Sequence, residues 1–193
     1  MCWTAAARAT EAPAVAASLL ERLRGIPHLV RDAIIRRAIK GDVPDAAALG
    51  AQIVRLHHAT NPNRFFVLED IEHGYAWWLN KELDRPEAVV LVAELDGAVV
   101  GYAYGAIEER DWSVLVDRHG AFHDLCVAES ARRRGVGRAL ALAMIDELEA
   151  LGAPRVLLRA MVQNQAAQRL AADLGFTPTM VEMTRECGEP LRR

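Results

Sequence analysis

The chain has almost no lysine: Lys40 and Lys81 are the only two, so nearly all of its positive charge is arginine. Its 23 basic residues do not outweigh 26 acidic ones, which leaves a formal net charge of −3 and a pI near 6.1. A dedicated nucleic-acid binder usually carries a basic excess, so no nucleic-acid partner is expected. Cysteine is scarce too. Cys2, Cys126 and Cys187 are odd in number and far apart, a pattern that fits neither a disulfide framework nor a zinc site and suits a reducing compartment. No metal is therefore expected. No apolar run is long enough to cross a bilayer, and the opening "MCWTAAARATEAPAVAASLL" has neither a basic n-region nor an unbroken apolar h-region, Glu11 interrupting it. Together these absences predict a cytoplasmic protein with no membrane partner. Apolar side chains are plentiful, at 52% of 193 residues, enough for one core and a small appendage.

The pattern along the chain is that of a single mixed α/β domain over residues 33–187, preceded by a tail and short helix (1–32) and followed by a tail (188–193). In the first segment "AVAASLLERLRG" predicts a helix closed by Gly25. "AIIRR" reads as a strand, followed by a helix that enters through Asp42 and Pro44 and stops at "NPN". A second helix follows in "LEDIEHGYAWWLNKEL". Two β-rich runs flank Asp96-Gly97, a strong short-range hairpin signal. Next come a strand in "AFHDLCVAE" and a helix with Val136, Leu140, Met144, Leu148 and Leu151 at helical spacing, ending at Gly152. A strand in "RVLLRAMV", a helix from Asn164 to Gly175 and a last strand in "FTPTMVEMTREC" complete the order. The strand–helix–strand unit in the middle predicts a right-handed crossover between parallel strands.

The joint of that unit, "ESARRRGVGRAL", concentrates positive charge and removes side chains where a strand gives way to a helix. A helix N-terminus presents unpaired N–H groups and partial positive charge. Glycines let an anion reach the backbone, and arginines add charge-assisted hydrogen bonds to phosphate oxygens. The segment lacks the Lys-Ser/Thr of a P-loop, and Leu140 stands where a dinucleotide fingerprint needs its third glycine. Taken alone, the joint reads equally well as a solvated turn.

Arg132-x-x-Gly135-x-Gly137 after "DLCV", together with "VAELDGAVVGY", the Asn164 and Ala167 of "NQAAQRL", and "DLGFTP", resembles the GNAT superfamily of acyl-CoA-dependent N-acyltransferases. The likeness runs over about residues 33 to 187 in element order. It implies a central, mostly antiparallel twisted sheet with a splayed parallel strand pair and helices on both faces. It also implies acetyl-CoA as co-substrate, a small-molecule amine as acceptor, direct attack in a ternary complex, and a homodimer as one form the family takes. On this resemblance Leu125, Cys126 and Val127 offer backbone groups to the pantetheine arm and the thioester. Arg132, Arg133, Arg134, Gly135, Val136, Gly137 and Arg138 surround the pyrophosphate. Asn164 and Ala167 meet the pantetheine arm, Asn164 also capping its helix.

The chemistry needs a donor for the developing oxyanion, which the resemblance assigns to the Val127 N–H, and a base for the amine proton. His123 is the first candidate base, since an imidazole titrates near neutral pH and shares strand parity with Leu125 and Val127. Asp124 is second, on the opposite face unless a bulge changes the parity. Ala171 occupies the place where many relatives carry a tyrosine that protonates the leaving thiolate. Water, or a hydroxyl such as that of Tyr102 or Tyr104, then takes that role. Cys126 reads as a nucleophile only if its pKa is depressed; otherwise it is a small buried hydrophobe. For the acceptor, the resemblance points to the two helices after the first strand, where His57, Phe65 and Trp78, with Tyr102 and Tyr104 on the hairpin, line an aromatic slot or simply pack the core. A peptide N-acetyltransferase and a catalytically weak acyl-CoA sensor are the competing readings.

Overall fold

Asp96 and Gly97 adopt φ of 51° and 78°, the left-handed pair that a two-residue hairpin turn requires. In the computed structural model, which describes residues 28–30 and 33–187, they join Ala88–Leu95 (β3) to Ala98–Glu108 (β4). Ala33–Arg37 (β2) pairs antiparallel with β3, and His28–Val30 (β1) with β2. This edge strand lies inside the segment expected to be a tail; the helix expected in "AVAASLLERLRG" lies outside the described residues. His119–Val127 (β5) pairs antiparallel with β4, and Val156–Leu158 (β6) pairs parallel with β5. The sheet order is β1-β2-β3-β4-β5-β6.

Helices Val43–Thr60 (α1) and Ile71–Glu82 (α2) form between β2 and β3, Val136–Ala150 (α3) between β5 and β6, and Gln165–Asp173 (α4) after β6. Because β3 alternates apolar residues toward both faces, "AVVLVA" reads as a continuous run, the mark of a strand covered on each side. Val89, Leu91 and Ala93 pack toward α3 with Leu140, Met144 and Leu148. Ala88, Val90 and Val92 pack toward α1 and α2 with Leu49, Leu79 and Tyr102. Leu140, Met144 and Leu148 are fully buried, which stabilises the fold by about 1.5–3 kcal/mol for each side chain.

Three local expectations need correction. Asp42 stands at the start of α1 but makes no cap bond to that helix. Its carboxylate instead receives Arg36 Nη1 at 2.6 Å, Arg36 Nη2 at 2.9 Å and the Ile39 N–H at 2.8 Å. That guanidinium holds the Asp42 carboxyl below the usual carboxylate range. The strand expected in "RVLLRAMV" is only three residues long, because its partner β5 departs from regular register at His123. Residues 176–187 form no strand. Pro178 removes a ladder donor there, and Met180, Val181 and Met183 stay 78%, 72% and 90% exposed, with no core face to meet.

Candidate active site

The site is organised by a change of direction within β5. The Gly120 N–H donates to Arg155 O on the β6 side, and the Ala128 N–H donates to Val100 O on the β4 side, each at 2.9 Å. Residues an even number apart in a regular strand send their amides the same way, so the alternation must reverse once between them. It reverses at His123, where the register passes from Phe122–Gly105 to Asp124–Tyr104 and leaves His123 unpaired as a bulge. Beyond the bulge the backbone groups of Leu125 and Val127 face the β6 side. β6 pairs only with Gly120, Ala121 and Phe122, so this edge of β5 is open. Arg132 Nε donates to the Val127 carbonyl at 3.0 Å, which leaves the Leu125 and Val127 amides as donors. Cys126, expected beside them, pairs instead with Tyr102 on β4. Its side chain is buried under α1 and α2, and burial pushes the thiol pKa up, so it stays protonated rather than nucleophilic.

The N-terminus of α3 lies beside the end of this open edge. A Cβ placed on Gly137 would come within 3.6 Å of Val127 Cγ2. Gly135 caps the helix at φ 88°, with no side-chain cap bond, and Arg133 adopts φ 59°. The first-turn amides therefore have no cap side chain in front of them, and the dipole's positive end faces outward. Arg132, Arg133 and Arg138 are exposed and Arg134 is half-buried. Val136 is 2% exposed and packs in the core, so only its backbone is available to a ligand. Asn164 caps α4, its Oδ1 accepting the Ala167 N–H at 3.0 Å. The Asn164 NH2 group remains for a ligand, whereas the Ala167 amide is already used.

On the other face of β5, Asp124 forms a wall of a cavity of about 230 Å³, with Ile53 and His57 of α1, Phe65 and Phe66 of the following loop, and Tyr75 of α2. Tyr75 Oη donates to Asp124 Oδ2 at 2.5 Å, and Tyr102 Oη donates to the same atom at 3.1 Å. Burial first, and then the adjacent Asp124 charge, hold both hydroxyls above the usual tyrosine range, so they remain donors. The loop is tied to α1: His57 Nδ1 donates to Ile53 O and His58 Nδ1 to Phe65 O, both at 2.7 Å, and the His57 and Phe65 rings meet edge-on at 4.8 Å.

The predicted residues therefore divide. His57, Phe65 and Asp124 share the cavity. Trp78, Tyr102 and Tyr104 belong to the packed layer beneath it: Trp78 lies edge-on to Tyr104 at 4.6 Å, Tyr102 is fully buried, and Tyr104 Oη donates to Glu82 Oε2 at 2.7 Å. Neither hairpin tyrosine has its hydroxyl free to protonate a leaving group. The bulge also corrects the parity expected for His123. Its ring stacks on Tyr104 at 5.4 Å, on the Asp124 side of the sheet, and its Nε2 lies 2.9 Å from Glu108 Oε1. Leu125 and Val127 pack with α3 instead. Sequence reasoning missed Arg64 and Tyr75 as cavity residues. The one signal for Tyr75 was Gly50 in the middle of a helix, where a Cβ would lie 2.5 Å from Tyr75 Cδ1.

Among the described residues no helix is long and apolar enough to cross a membrane, and no group of three or more His, Cys, Asp or Glu side chains is placed to hold a metal ion. Residues 51–176 match the family model "Acetyltransferase (GNAT) family". An N-alpha-acetyltransferase of Sulfurisphaera tokodaii is 32% identical over 136 residues, covering 67% of this chain and 75% of that protein. An L-methionine sulfoximine/L-methionine sulfone acetyltransferase of Salmonella typhimurium is 34% identical over 113 residues, 57% of this chain and 61% of that one. Among solved structures, an aminoglycoside N-acetyltransferase in complex with CoA superposes with a TM-score of 0.64 at 20% identity, over 84% of this chain and 99% of that one; at that identity the likeness concerns the fold. The family match spans well over half of the chain and the fold superposes, so the chain belongs to the GNAT family of acetyltransferases.

Proposed function

We propose that this enzyme transfers an acetyl group from acetyl-CoA to the primary amine of a small molecule, by direct attack within a ternary complex. The observation that carries the reading is the two-sided build of β5. One edge past the bulge offers the Leu125 and Val127 amides beside the α3 N-terminus, and the adjoining residue, Asp124, faces a cavity on the α1/α2 side.

The residues present fit acetyl-CoA. Arg133, Arg134 and Arg138, with the first-turn amides of α3, would hold the pyrophosphate. Leu125, Val127 and Asn164 would hold the pantetheine arm. When bound, the co-substrate supplies an acyl carbonyl activated as a thioester. The Val127 N–H is the donor for the oxygen of that carbonyl, a role typically worth ~2.7–4 kcal/mol when such a donor is removed.

Asp124, rather than His123, is the group we assign to the acceptor. Its carboxylate is already oriented by two tyrosine hydroxyls and has lone pairs to spare for an ammonium. It attracts the amine in its charged form and takes a proton from it, directly or through water. His123 points to Glu108 instead. The cavity of about 230 Å³ suits a compact acceptor, and the names of the relatives, which act on an α-amine or an amino-acid derivative, support an α-amine. The test is release of free thiol from acetyl-CoA across a panel of small amines and peptides. Small-amine turnover is the expected result. Turnover confined to peptides, or tight coenzyme A binding without turnover, would replace this reading with one of its competitors.

A further inference from the structure

We propose that the acceptor is an amino acid carrying its own free carboxylate, and that Arg64 is the residue that selects it. The inference rests on the acetyl-transfer reading above and concerns the same cavity. Arg64 lines that cavity together with Asp124, so one compact space has a cation and an anion in its walls. Ile53, Phe65 and Phe66 supply apolar surface there, and Phe66 is 73% exposed. A zwitterion with an apolar side chain matches all three: ammonium at Asp124, carboxylate at Arg64, side chain on the aromatic surface.

The second observation is a carboxylate already on that arginine. Both oxygens of Glu182, from the segment after α4, meet the Arg64 guanidinium, Oε1 at Nε and Oε2 at Nη2, the latter at 3.2 Å. This is the two-pronged geometry by which a guanidinium recognises a carboxylate. Glu182 therefore acts as an internal stand-in that an incoming carboxylate displaces. The arginine is presented by an anchored loop: the Arg64 N–H donates to Asn61 Oδ1 at 3.2 Å and the Phe65 N–H to Asn61 O at 3.0 Å, with the guanidinium 5.0 Å from the centroid of the Phe65 ring. In the reaction the N–C bond formed replaces the C–S bond broken. Of the two protons the ammonium loses, one ends on the thiol and the other in solvent.

The experiment compares each L-amino acid of a panel with its own amide, measuring kcat/KM for acetyl-CoA-dependent thiol release in the full chain and in Arg64→Ala, Arg64→Lys and Glu182→Gln. An amide's amine is the weaker base and more of it is neutral, so intrinsic reactivity favours the amide and any preference for the acid reports binding. The expected wild-type ratio of acid to amide is about tenfold to a hundredfold for the preferred side chain, the range of a charge-assisted hydrogen-bond pair. Arg64→Ala should bring that ratio below about threefold, with Arg64→Lys between, as expected when two-pronged recognition becomes a point charge. Glu182→Gln should lower KM for the acid. Amides turned over as well as acids by the wild type, or acid and amide losing equally in Arg64→Ala, would overturn this inference while leaving acetyl transfer standing. No turnover of any acid or amide would also overturn this inference, and would overturn acetyl transfer with it only where the small-amine and peptide panel gives no thiol release either.

Discussion

Gly50 sits in the interior of α1, where glycine costs about 1 kcal/mol relative to alanine. On helix propensity alone, Gly50→Ala should stabilise the protein. The structure predicts the opposite. A Cβ at residue 50 would fall closest to Tyr75 Cε1, with Cδ1 at 2.5 Å and Cζ at 2.8 Å, so the ring has to retreat by roughly 1.5 Å to reach ordinary contact. It has little room, being edge-on to Trp78 at 5.3 Å and bonded through its hydroxyl to Asp124 at 2.5 Å. Overpacking of this kind costs about 1–3 kcal/mol, and a lost hydrogen bond to a charged group about 1.5–3 kcal/mol. Set against the propensity gain of about 1 kcal/mol, the net expectation is destabilisation by about 1.5–5 kcal/mol, read as a lower urea midpoint at unchanged m value. Acetyl transfer should fall about tenfold, since Asp124 loses one of its two orienting donors. In a Tyr75→Ala background the same substitution should become stabilising, which isolates the contact as the cause. A Gly50→Ala protein that is about 1 kcal/mol more stable than wild type, with normal turnover, would show that the Tyr75 ring does not lie against this backbone.

Further outcomes follow from the same geometry. Asp124→Asn should reduce kcat/KM by about 10²–10⁴-fold, the usual worth of a base, while coenzyme A affinity measured by calorimetry stays within about twofold; a larger loss in His123→Ala than in Asp124→Asn would return the base to His123. The lowered Asp42 pKa means that its pairing with Arg36 contributes stability in full above the unfolded carboxyl value of about 4 and loses it as pH falls through the folded value. Urea midpoints of Asp42→Asn should thus lie below wild type at pH 7, with the gap closing in acid; a gap independent of pH would contradict the pairing. Replacing Arg133 and Arg138 by glutamine should weaken coenzyme A binding at least tenfold, about 1.4 kcal/mol, and flatten its salt dependence. These exposed positions suit that test better than Gly135→Val, where φ of 88° would add backbone strain to any effect on the ligand.

Much of the fold was legible because local signals and tertiary demands agree. Asp96-Gly97 demanded a hairpin, and Gly152 and Gly175, at φ 83° and 87°, ended helices where expected. The arginine–glycine joint stood out because the phosphate cradle proposed there is made of consecutive residues. The cavity proposed for the acceptor was less legible, since it is assembled from α1, a loop, α2 and β5, and no spacing connects Arg64, Tyr75 and Asp124. The bulge at His123 was hidden as well: "AFHDLCV" alternates plausibly in either parity, and only the pairing partners on β4 and β6 decide which amides face the open edge. Asp42 misled because an acidic residue before Pro44 looks like a helix cap, whereas a nearby guanidinium binds its carboxylate more strongly than a helix amide would. The last strand failed because Pro178 removes a ladder donor and Met180, Val181 and Met183 find no core face.

The central claim is that β5 holds an acyl donor on one side and delivers an amine from the other. The most direct measurement is steady-state thiol release from acetyl-CoA, in the presence and absence of small amines, by wild type, Asp124→Asn and the Arg133/Arg138 glutamine variant, with coenzyme A binding measured on the same preparations. The account predicts amine-dependent release by the wild type, lost binding and rate together in the arginine variant, and lost rate with retained binding in Asp124→Asn. Amine-dependent release that survives in Asp124→Asn at the wild-type rate would contradict it.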